Sequence, residues 1–305
     1  GNISQLDSVV IRWDNGKKQV LTHVKTNQTL QVKIADAKLD YTNKQPSVDN
    51  TALFKEVTQS AGITYKHNDQ DYIDFNVQKL LPHKLSEYTP AIAVGDVDGN
   101  GIDDMVVGGT TKYPAQLLLQ QASGKFIQRD LVPQSKTIIP VGNPNDMAHM
   151  ISPVRVKDEG MLLFDADGDG YLDLYVASGG YESEPGSSNY QDRLYVNDGK
   201  GNFKIQPDAL PKNFTSKLCV KAADVNRDGK MDLFISGRVD PWNYPKPVSS
   251  FILRNDSKNG VIKFTDVSAS SAKELNNIGL VCDATFTDFN NDGWPDLILT
   301  GEWMP

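Results

Sequence analysis

The sequence predicts an all-β chain that repeats one short, four-stranded unit about four times. Three observations predict this class: one acidic nine-residue loop occurs four times, short apolar runs flank every copy, and glycine-containing turns separate the runs. The loops begin at Asp96, Asp165, Asp224 and Asp288, so consecutive copies lie 69, 59 and 64 residues apart. Nearly even spacing of one motif indicates a repeat architecture.

Each acidic loop follows the pattern Asp-x-Asp/Asn-x-Asp/Asn-Gly-x-x-Asp, counted here as positions 1 to 9. Positions 1, 3, 5 and 9 carry oxygen-bearing side chains. Position 7, whose side chain varies without pattern, is expected to add its main-chain carbonyl as a ligand. The predicted metal ligands are, loop by loop, Asp96, Asp98, Asn100, Ile102 and Asp104; Asp165, Asp167, Asp169, Tyr171 and Asp173; Asp224, Asn226, Asp228, Lys230 and Asp232; and Asp288, Asn290, Asp292, Trp294 and Asp296.

Calcium is the cation that this pattern favours. Ca²⁺ takes about 6–8 oxygen ligands, whereas softer metals prefer histidine or cysteine, which the loops lack. Thirteen carboxylates occupy the ligand positions, and two of them about 4 Å apart repel by about 4 kcal/mol at an effective dielectric constant of about 20. We therefore expect about four structural Ca²⁺ ions, and the alternative is an acidic turn without metal. An EF-hand loop is excluded, because position 12 is apolar in all four copies.

Short apolar runs on both sides of each loop predict strands. The runs before the loops span 91–95, 161–164, 218–223 and 284–287, and those after the loops span 105–108, 174–179, 233–237 and 297–301. In the first three units a third strand (116–120, 193–196 and 250–254) and a fourth (125–128, 202–205 and 262–267) follow. Four short antiparallel strands, repeated, are typical of β-propeller blades. The alternative is a β-sandwich with acidic turns.

The fourth unit ends after its second strand, at Pro305. Closed propellers have about 4–8 blades, so the sequence predicts an arc of a longer propeller. Residues 53–57 resemble residues 263–267, which belong to a fourth strand. They are predicted to supply an outer strand to a blade that continues beyond residue 305.

With these motifs the chain resembles the FG-GAP/VCBS repeat family, whose units also occur in integrin alpha chains. The resemblance covers about residues 50–305 and implies that the acidic loop joins the first two strands of each blade and binds calcium there. Three further motifs are similar to the subgroup that includes cartilage acidic protein and many bacterial surface proteins: Gly237-Arg238 with Tyr244-Pro245, Asp192–Tyr195 and Gly301–Pro305. The resemblance implies no defined biochemical activity for this subgroup.

The N-terminal segment is similar to the C-terminal half of an ASPIC/UnbV module. Residues 7–24 are predicted to form a hairpin around Asp14-Asn15-Gly16-Lys17, and the alternation of apolar residues over 29–34 predicts a further strand. The predicted organisation is a partial ASPIC/UnbV-like β segment at 1–35, a polar linker at 36–50, and propeller repeats at 51–305.

Composition excludes several classes of function. A net charge of −8 argues against a nucleic-acid partner, which requires a basic surface. No run approaches the ~20 apolar residues of a membrane-spanning helix. None of the four histidines has a metal-ligand spacing, and no catalytic motif is present, so the chain is not expected to be an enzyme. Cys219 and Cys282 are expected to be buried free thiols.

The sequence therefore predicts an extracellular, cell-surface or periplasmic binding module with structural calcium and a protein or glycan ligand, as in adhesion. Trp242 and Tyr244 lie in a proline-rich segment and are a possible ligand surface, although packing of both rings on the blade is the favoured alternative. Residues 143–156 are either a recognition loop or an ordinary insertion. Two other functions stay open: part of a polysaccharide lyase-like enzyme, and a purely architectural spacer.

Overall fold

The structure of the protein is a computed structural model that describes residues 3–41, 54–88, 90–132 and 157–305. The chain divides into two compact units, Gly1–Glu56 and Val57–Pro305. Within the described residues it contains seventeen strands and a single four-residue α-helix, Ser268–Ser271. The predicted all-β class is therefore confirmed. No helix among the described residues is long and apolar enough to cross a membrane.

The first unit contains a three-stranded antiparallel sheet of order β1-β2-β3. Its strands are β1 (Gln5–Arg12), β2 (Lys17–Lys25) and β3 (Leu39–Asp40). The predicted hairpin is confirmed: β1 pairs with β2, and Gly16 adopts the positive φ of 76° that the turn requires.

The strand predicted over 29–34 is wrong. Residues 29–33 have no strand partner, and Ile34–Asp36 form a 3-10 turn. Leu30 and Ile34 are both exposed and Val32 is only partly buried, so the alternating apolar residues do not form a buried face here. The third strand instead pairs at Lys17 and Lys18 of β2. The predicted linker, 36–50, lies mostly outside the described residues.

The second unit contains three four-stranded antiparallel meanders and a fourth, two-stranded sheet. We call these blades 1 to 4. Blade 1 consists of β4 (Ile92–Gly95), β5 (Asp104–Val107), β6 (Gln116–Gln120) and β7 (Phe126–Asp130). Blade 2 consists of β8 (Lys157–Phe164), β9 (Asp173–Gly179), β10 (Arg193–Asn197) and β11 (Phe203–Ile205). Blade 3 consists of β12 (Val220–Ala223), β13 (Asp232–Ile235), β14 (Phe251–Asn255) and β15 (Phe264–Asp266). Blade 4 consists of β16 (Leu280–Thr287) and β17 (Asp296–Glu302).

The blades pack against one another through their faces. The first strands of neighbouring blades are in contact, β4 with β8, β8 with β12, and β12 with β16. Apolar side chains fill the space between blades: Tyr175 and Leu194 of blade 2, for example, share one core with Leu233 and Leu253 of blade 3. Further cores lie between blades 1 and 2 and between blades 3 and 4. This is the packing of propeller blades, and it makes the first strands the innermost ones.

Two predicted features depend on residues outside the described part. Residues 143–156 are not described. Of the segment 53–57, residue 53 is not described and residues 54–57 form no strand. Because the partner predicted for that segment would follow residue 305, its pairing stays a prediction.

Candidate functional site

All four acidic loops join the first strand of a blade to the second. Position 9 of each loop (Asp104, Asp173, Asp232 and Asp296) is the first residue of the second strand. Since the second strands of the blades are equivalent, the loops lie at one common end of the second unit. We call this the loop end.

Backbone N–H groups hold the acidic side chains in the same way in every loop. In the second loop, Asp165 Oδ1 accepts hydrogen bonds from Gly168 N (2.7 Å) and Asp169 N (3.2 Å), and Asp165 Oδ2 accepts one from Gly170 N (2.9 Å). Asp167 accepts from the N–H of position 5 and Asp169 from that of position 7. In the other three loops the backbone N–H groups of positions 5, 6 and 7 donate the same hydrogen bonds to the side chains at positions 1, 3 and 5. Each loop is therefore wound around its own side-chain oxygens.

Position 4 of the loop, and not only the glycine at position 6, has a left-handed backbone. Its φ is 76° at Gly99 and 83° at Gly168, but the same conformation is held by Arg227 (61°) and Asn291 (60°). The sequence pattern identified the glycine at position 6 alone, because position 4 varies in residue type.

In the first two loops the structure brings three carboxylates close enough to share one cation. Ligand oxygens of Asp96, Asp98 and Asp104 lie within 4.8 Å of one another, and so do those of Asp165, Asp167 and Asp169. In the third and fourth loops position 3 is an asparagine whose Nδ2 donates to position 5, from Asn226 to Asp228 (3.1 Å) and from Asn290 to Asp292 (3.0 Å). Acidic clusters that could hold ions are thus present, while ligation by the individual predicted residues stays a prediction.

The aspartate at position 9 has a structural role that the sequence pattern did not reveal. Asp173 is fully buried. Its Oδ2 accepts from Ala166 N (3.0 Å) in the loop, and its Oδ1 accepts from Asn197 N (2.9 Å) at the end of the third strand. Asp104 and Asp232 make the same two contacts in their own blades. Burial raises the pKa of Asp173 to about 6, and the two backbone hydrogen bonds oppose that rise.

Two asparagines, which sequence reasoning missed, connect blades 2 and 3 each to the blade before it. Asn197 Nδ2 donates to Val97 O in the first loop (2.8 Å), and Asn255 Nδ2 donates to Ala166 O in the second loop (3.0 Å). Both asparagines end a third strand, where the sequence reads Asn-Asp in each case. That repeated dipeptide is the signal that could have identified them. The third and fourth loops are joined differently, since Arg227 lies 3.6 Å above the ring of Trp294.

The second strands end at the opposite end of the unit, which carries a cluster of aromatic and charged side chains. Tyr244 and Trp242 both lie there. Trp242 is 37% exposed and its Nε1 donates to Tyr181 O (3.1 Å). Tyr244 packs partly buried against a small core that includes Tyr181. The predicted alternative, packing on the blade, therefore describes Tyr244 better than Trp242.

Residues 67–88 run along this end as an irregular segment with a 3-10 turn at Asp74–Asn76. We call the segment the strap and this end of the unit the strap end. It contacts all four blades. Thr110 Oγ1 of blade 1 donates to Asn68 O (3.2 Å), and Tyr181 Oη of blade 2 donates to Gln78 Oε1 (2.6 Å). Arg238 Nη2 of blade 3 donates to Tyr88 Oη (2.5 Å), and Glu302 Oε1 of blade 4 lies 3.6 Å from His83 Nε2. Lys157, which is almost fully buried, also pairs with Asp69 of the strap at 2.6 Å. The strap therefore brings His83 and Tyr88 to the aromatic cluster, which no sequence motif indicated.

The two cysteines of the chain do not form a disulfide bond with each other. Cys219 and Cys282 are free cysteines, the first buried and the second half-buried. Burial raises the pKa of Cys219 to about 11.

Comparisons with known proteins identify two families along the chain. Residues 165–235, which run from the second loop into β13, match the family described as FG-GAP-like repeat. Residues 1–39 match the family described as ASPIC and UnbV. No curated protein matches the chain.

Among solved structures, the chain is similar to an Agrocybe aegerita lectin described as specifically recognising non-reducing terminal N-acetylglucosamine. The identity is 16% and the TM-score 0.40, over 74% of this chain and 49% of that one. The chain thus spans about half the length of that lectin. Residues 165–235, in blades 2 and 3, therefore match the FG-GAP-like repeat family, and residues 1–39 match the ASPIC and UnbV family, as the motifs predicted.

Proposed function

We propose that the chain is a calcium-binding module of a cell-surface or secreted protein, in which about four Ca²⁺ ions stiffen the loop end and the opposite end binds a ligand. The observation that carries this proposal is the repeated loop: backbone N–H groups hold the side chains at positions 1, 3 and 5 in the same way in all four copies. In the first two copies three carboxylates lie within 4.8 Å of one another. The match to FG-GAP-like repeats, which often bind calcium, supports it.

The donor set fits a hard divalent cation. Three carboxylates within 4.8 Å of one another repel strongly, since two charges about 4 Å apart interact by about 4 kcal/mol at an effective dielectric constant of about 20. The surrounding N–H groups offset only part of this repulsion. A bound Ca²⁺ would offset two of the three negative charges, and oxygens that the loop already holds close together would ligate it.

Calcium in these loops would also fix one blade against the next. Val97 and Ala166 stand at position 2 of the first and second loops, and their carbonyls accept from the following blade. An ordered loop keeps these carbonyls in place. Calcium is therefore proposed as a structural cofactor that sets the packing of blades, and millimolar extracellular calcium favours a location outside the cytoplasm.

The lyase alternative predicted a charged constellation away from the four loops, and Arg238, Tyr88, His83 and Glu302 form one at the strap end. A lyase requires a cation that reaches the carboxylate of its substrate. Arg238 is 1% exposed and already pairs with Glu302 at 3.1 Å. We therefore favour binding over catalysis, with a protein or a glycan as the ligand.

Calcium stoichiometry together with thermal unfolding tests this proposal. Isothermal titration of the metal-free chain is expected to give about four ions, and excess EDTA is expected to lower the melting temperature. Asp167→Asn should reduce the stoichiometry or the affinity of one site. Asp198→Asn is the matched control, because Asp198 also accepts backbone N–H groups in a turn but lies outside the loop pattern. An unchanged melting curve without calcium uptake would refute the proposal.

A further inference from the structure

The first acidic loop contains an Asn-Gly dipeptide, Asn100-Gly101, where the other three loops have Asp-Gly. Asparagine is a chemically labile residue, and a following glycine, which has no side chain, leaves its Cγ open to attack. The main-chain nitrogen of the glycine attacks Cγ, and the new N–Cγ bond closes a succinimide ring. The bond from Cγ to the amide nitrogen breaks and ammonia leaves. Water then opens the ring to aspartate or to isoaspartate.

The folded first loop holds both reacting groups in place. Gly101 N donates to Asp96 Oδ2 at 2.7 Å, so the attacking nitrogen keeps its proton and its orientation. The side chain of Asn100 is fixed on both sides, because its Oδ1 accepts from Ile102 N (2.8 Å) and its Nδ2 donates to Gln120 O of the third strand (2.9 Å). Ring closure therefore requires that these three hydrogen bonds break, which means that the loop opens.

The Asn-Gly dipeptide in the hairpin turn of the first unit is held less firmly. Asn15 Oδ1 accepts from Lys17 N at 3.1 Å, and Gly16 N donates to Trp13 O at 3.2 Å. The amide nitrogen of Asn15 donates to none of the described residues. Two longer hydrogen bonds within one turn thus stand where the first loop has three.

The third Asn-Gly dipeptide, Asn259-Gly260, has no such protection. It lies in the turn between the third and fourth strands of blade 3 and is exposed. Neither the side chain of Asn259 nor Gly260 N forms a hydrogen bond with a described residue. The equivalent turns of blades 1 and 2 also expose residues, Ser123 and Lys200, although a complete blade follows each of them. Exposure is therefore a property of this turn.

We infer that Asn100 is a site of spontaneous deamidation that the closed first loop protects. The inference rests on the calcium-binding role proposed above, because a bound ion would keep the loop closed and its loss would let the loop open. Since only the open loop reacts, the rate follows the fraction of time that the loop is open. A tenfold smaller open fraction corresponds to about 1.4 kcal/mol of additional opening free energy.

The two products have different consequences for the loop. Aspartate at position 100 gives the first loop the position-5 carboxylate that the other three loops already have. Isoaspartate adds a methylene group to the main chain just before Gly101, which displaces the N–H that Asp96 accepts. The first product keeps the loop pattern. The second is expected to weaken calcium binding in the first loop alone.

The test incubates the full chain in a mildly alkaline buffer, with calcium or with excess EDTA, and follows all three dipeptides by peptide mapping with mass spectrometry. In calcium, Asn259 is expected to react fastest, Asn15 more slowly and Asn100 most slowly. EDTA should accelerate the reaction of Asn100 at least about tenfold, and that of Asn259, which needs no opening, less than about twofold.

A pair of matched variants tests the protecting hydrogen bond. Asp96→Ala removes the acceptor of Gly101 N, so Asn100 should react in calcium as fast as it does in EDTA. Asp165→Ala is the control, because it makes the same change at position 1 of the second loop, where the acceptor of Gly170 N is lost. The control should leave the rate at Asn100 unchanged. Melting temperatures show whether both variants fold.

Three results would overturn the inference. Asn100 reacts as fast as Asn259 in calcium, EDTA fails to accelerate Asn100 in a chain that binds calcium, or Asp96→Ala and Asp165→Ala change its rate alike. Any of these results in a chain that binds calcium leaves the calcium proposal standing. If the chain takes up no calcium, that proposal is refuted, and the comparison of the two variants, which requires no metal, still decides the inference.

Discussion

Replacing Asp173 with asparagine tests whether position 9 of the acidic loop is first of all a structural acceptor. Its two oxygens accept from Ala166 N and Asn197 N, on opposite sides of one buried carboxylate. An amide has one acceptor oxygen and one donor nitrogen. Whichever way the new side chain is oriented, one backbone N–H then faces an NH₂ group, and no water can replace the lost acceptor at this fully buried position.

The expected loss of stability follows from these contacts. A hydrogen bond to a charged group contributes about 1.5–3 kcal/mol, and a buried donor left unpaired costs about 1–3 kcal/mol. Together they give a loss of about 2.5–6 kcal/mol. For a unit of this size, 1 kcal/mol corresponds to about 2–4 °C in melting temperature, so we expect a decrease of roughly 10 °C.

Calorimetry in EDTA measures this loss with metal binding removed. Asp296→Asn is the internal control, because Asp296 is only half-buried and accepts from Phe289 N and Asn290 N of its own loop. One acceptor oxygen suffices there, and we expect a decrease of about 2–4 °C. The reasoning is refuted if Asp173→Asn and Asp296→Asn lower the melting temperature by equally small amounts in EDTA, and if their melting temperatures differ only when calcium is present.

Two further predictions concern groups at or near the blade contacts. Asn197→Ala removes the donors to Val97 O and Leu172 O and should cost about 2 kcal/mol, measured by denaturant unfolding; an unchanged midpoint would show that the blades do not depend on this contact. Burial raises the pKa of Glu159 from 4.5 to about 8. Between these two pH values the folded chain therefore keeps a proton on Glu159 that the unfolded chain releases. Stability should therefore fall as the pH rises from about 4.5 to 8. Glu159→Gln should flatten that fall in melting temperature, whereas Glu184→Gln, at an exposed position, should not.

Most of the fold could be predicted from local sequence patterns. The acidic loops and the short apolar runs are contiguous in sequence, so the strands could be placed to within one to three residues at most ends. The failure at 29–34 has a physical cause. Alternation of apolar residues shows that a segment could lie in a sheet, but not that another strand is available to pair with it.

The details of the sites depend on contacts that are distant in sequence. The loop pattern predicts position 9 as a metal ligand, and this stays a prediction. The pattern does not reveal the second contact of Asp173, which comes from a strand 24 residues later. Tyr88 and Arg238 are 150 residues apart, and no periodicity connects them. Such pairings follow from the packing of whole blades, which a single sequence does not encode in any short motif.

The two ends of the second unit are physically connected through the second strands. Each of these strands begins at a position-9 aspartate and ends within three residues of a contact with the strap, at Thr110, Tyr181, Arg238 and Glu302. If a loop opens when calcium is removed, the position-9 aspartate at the start of its second strand is no longer held in place. The strap contacts, which depend on the far ends of those strands, should then loosen as well.

Hydrogen exchange measured by mass spectrometry can test this connection. Removal of calcium is expected to raise exchange in the acidic loops and also in the strap, residues 67–88, although the strap contains none of the predicted ligands. The hairpin β1–β2 of the first unit is the internal reference, because it carries no acidic loop. If exchange rises in the loops but the strap keeps its protection, the two ends are independent. In that case calcium would order the loops alone.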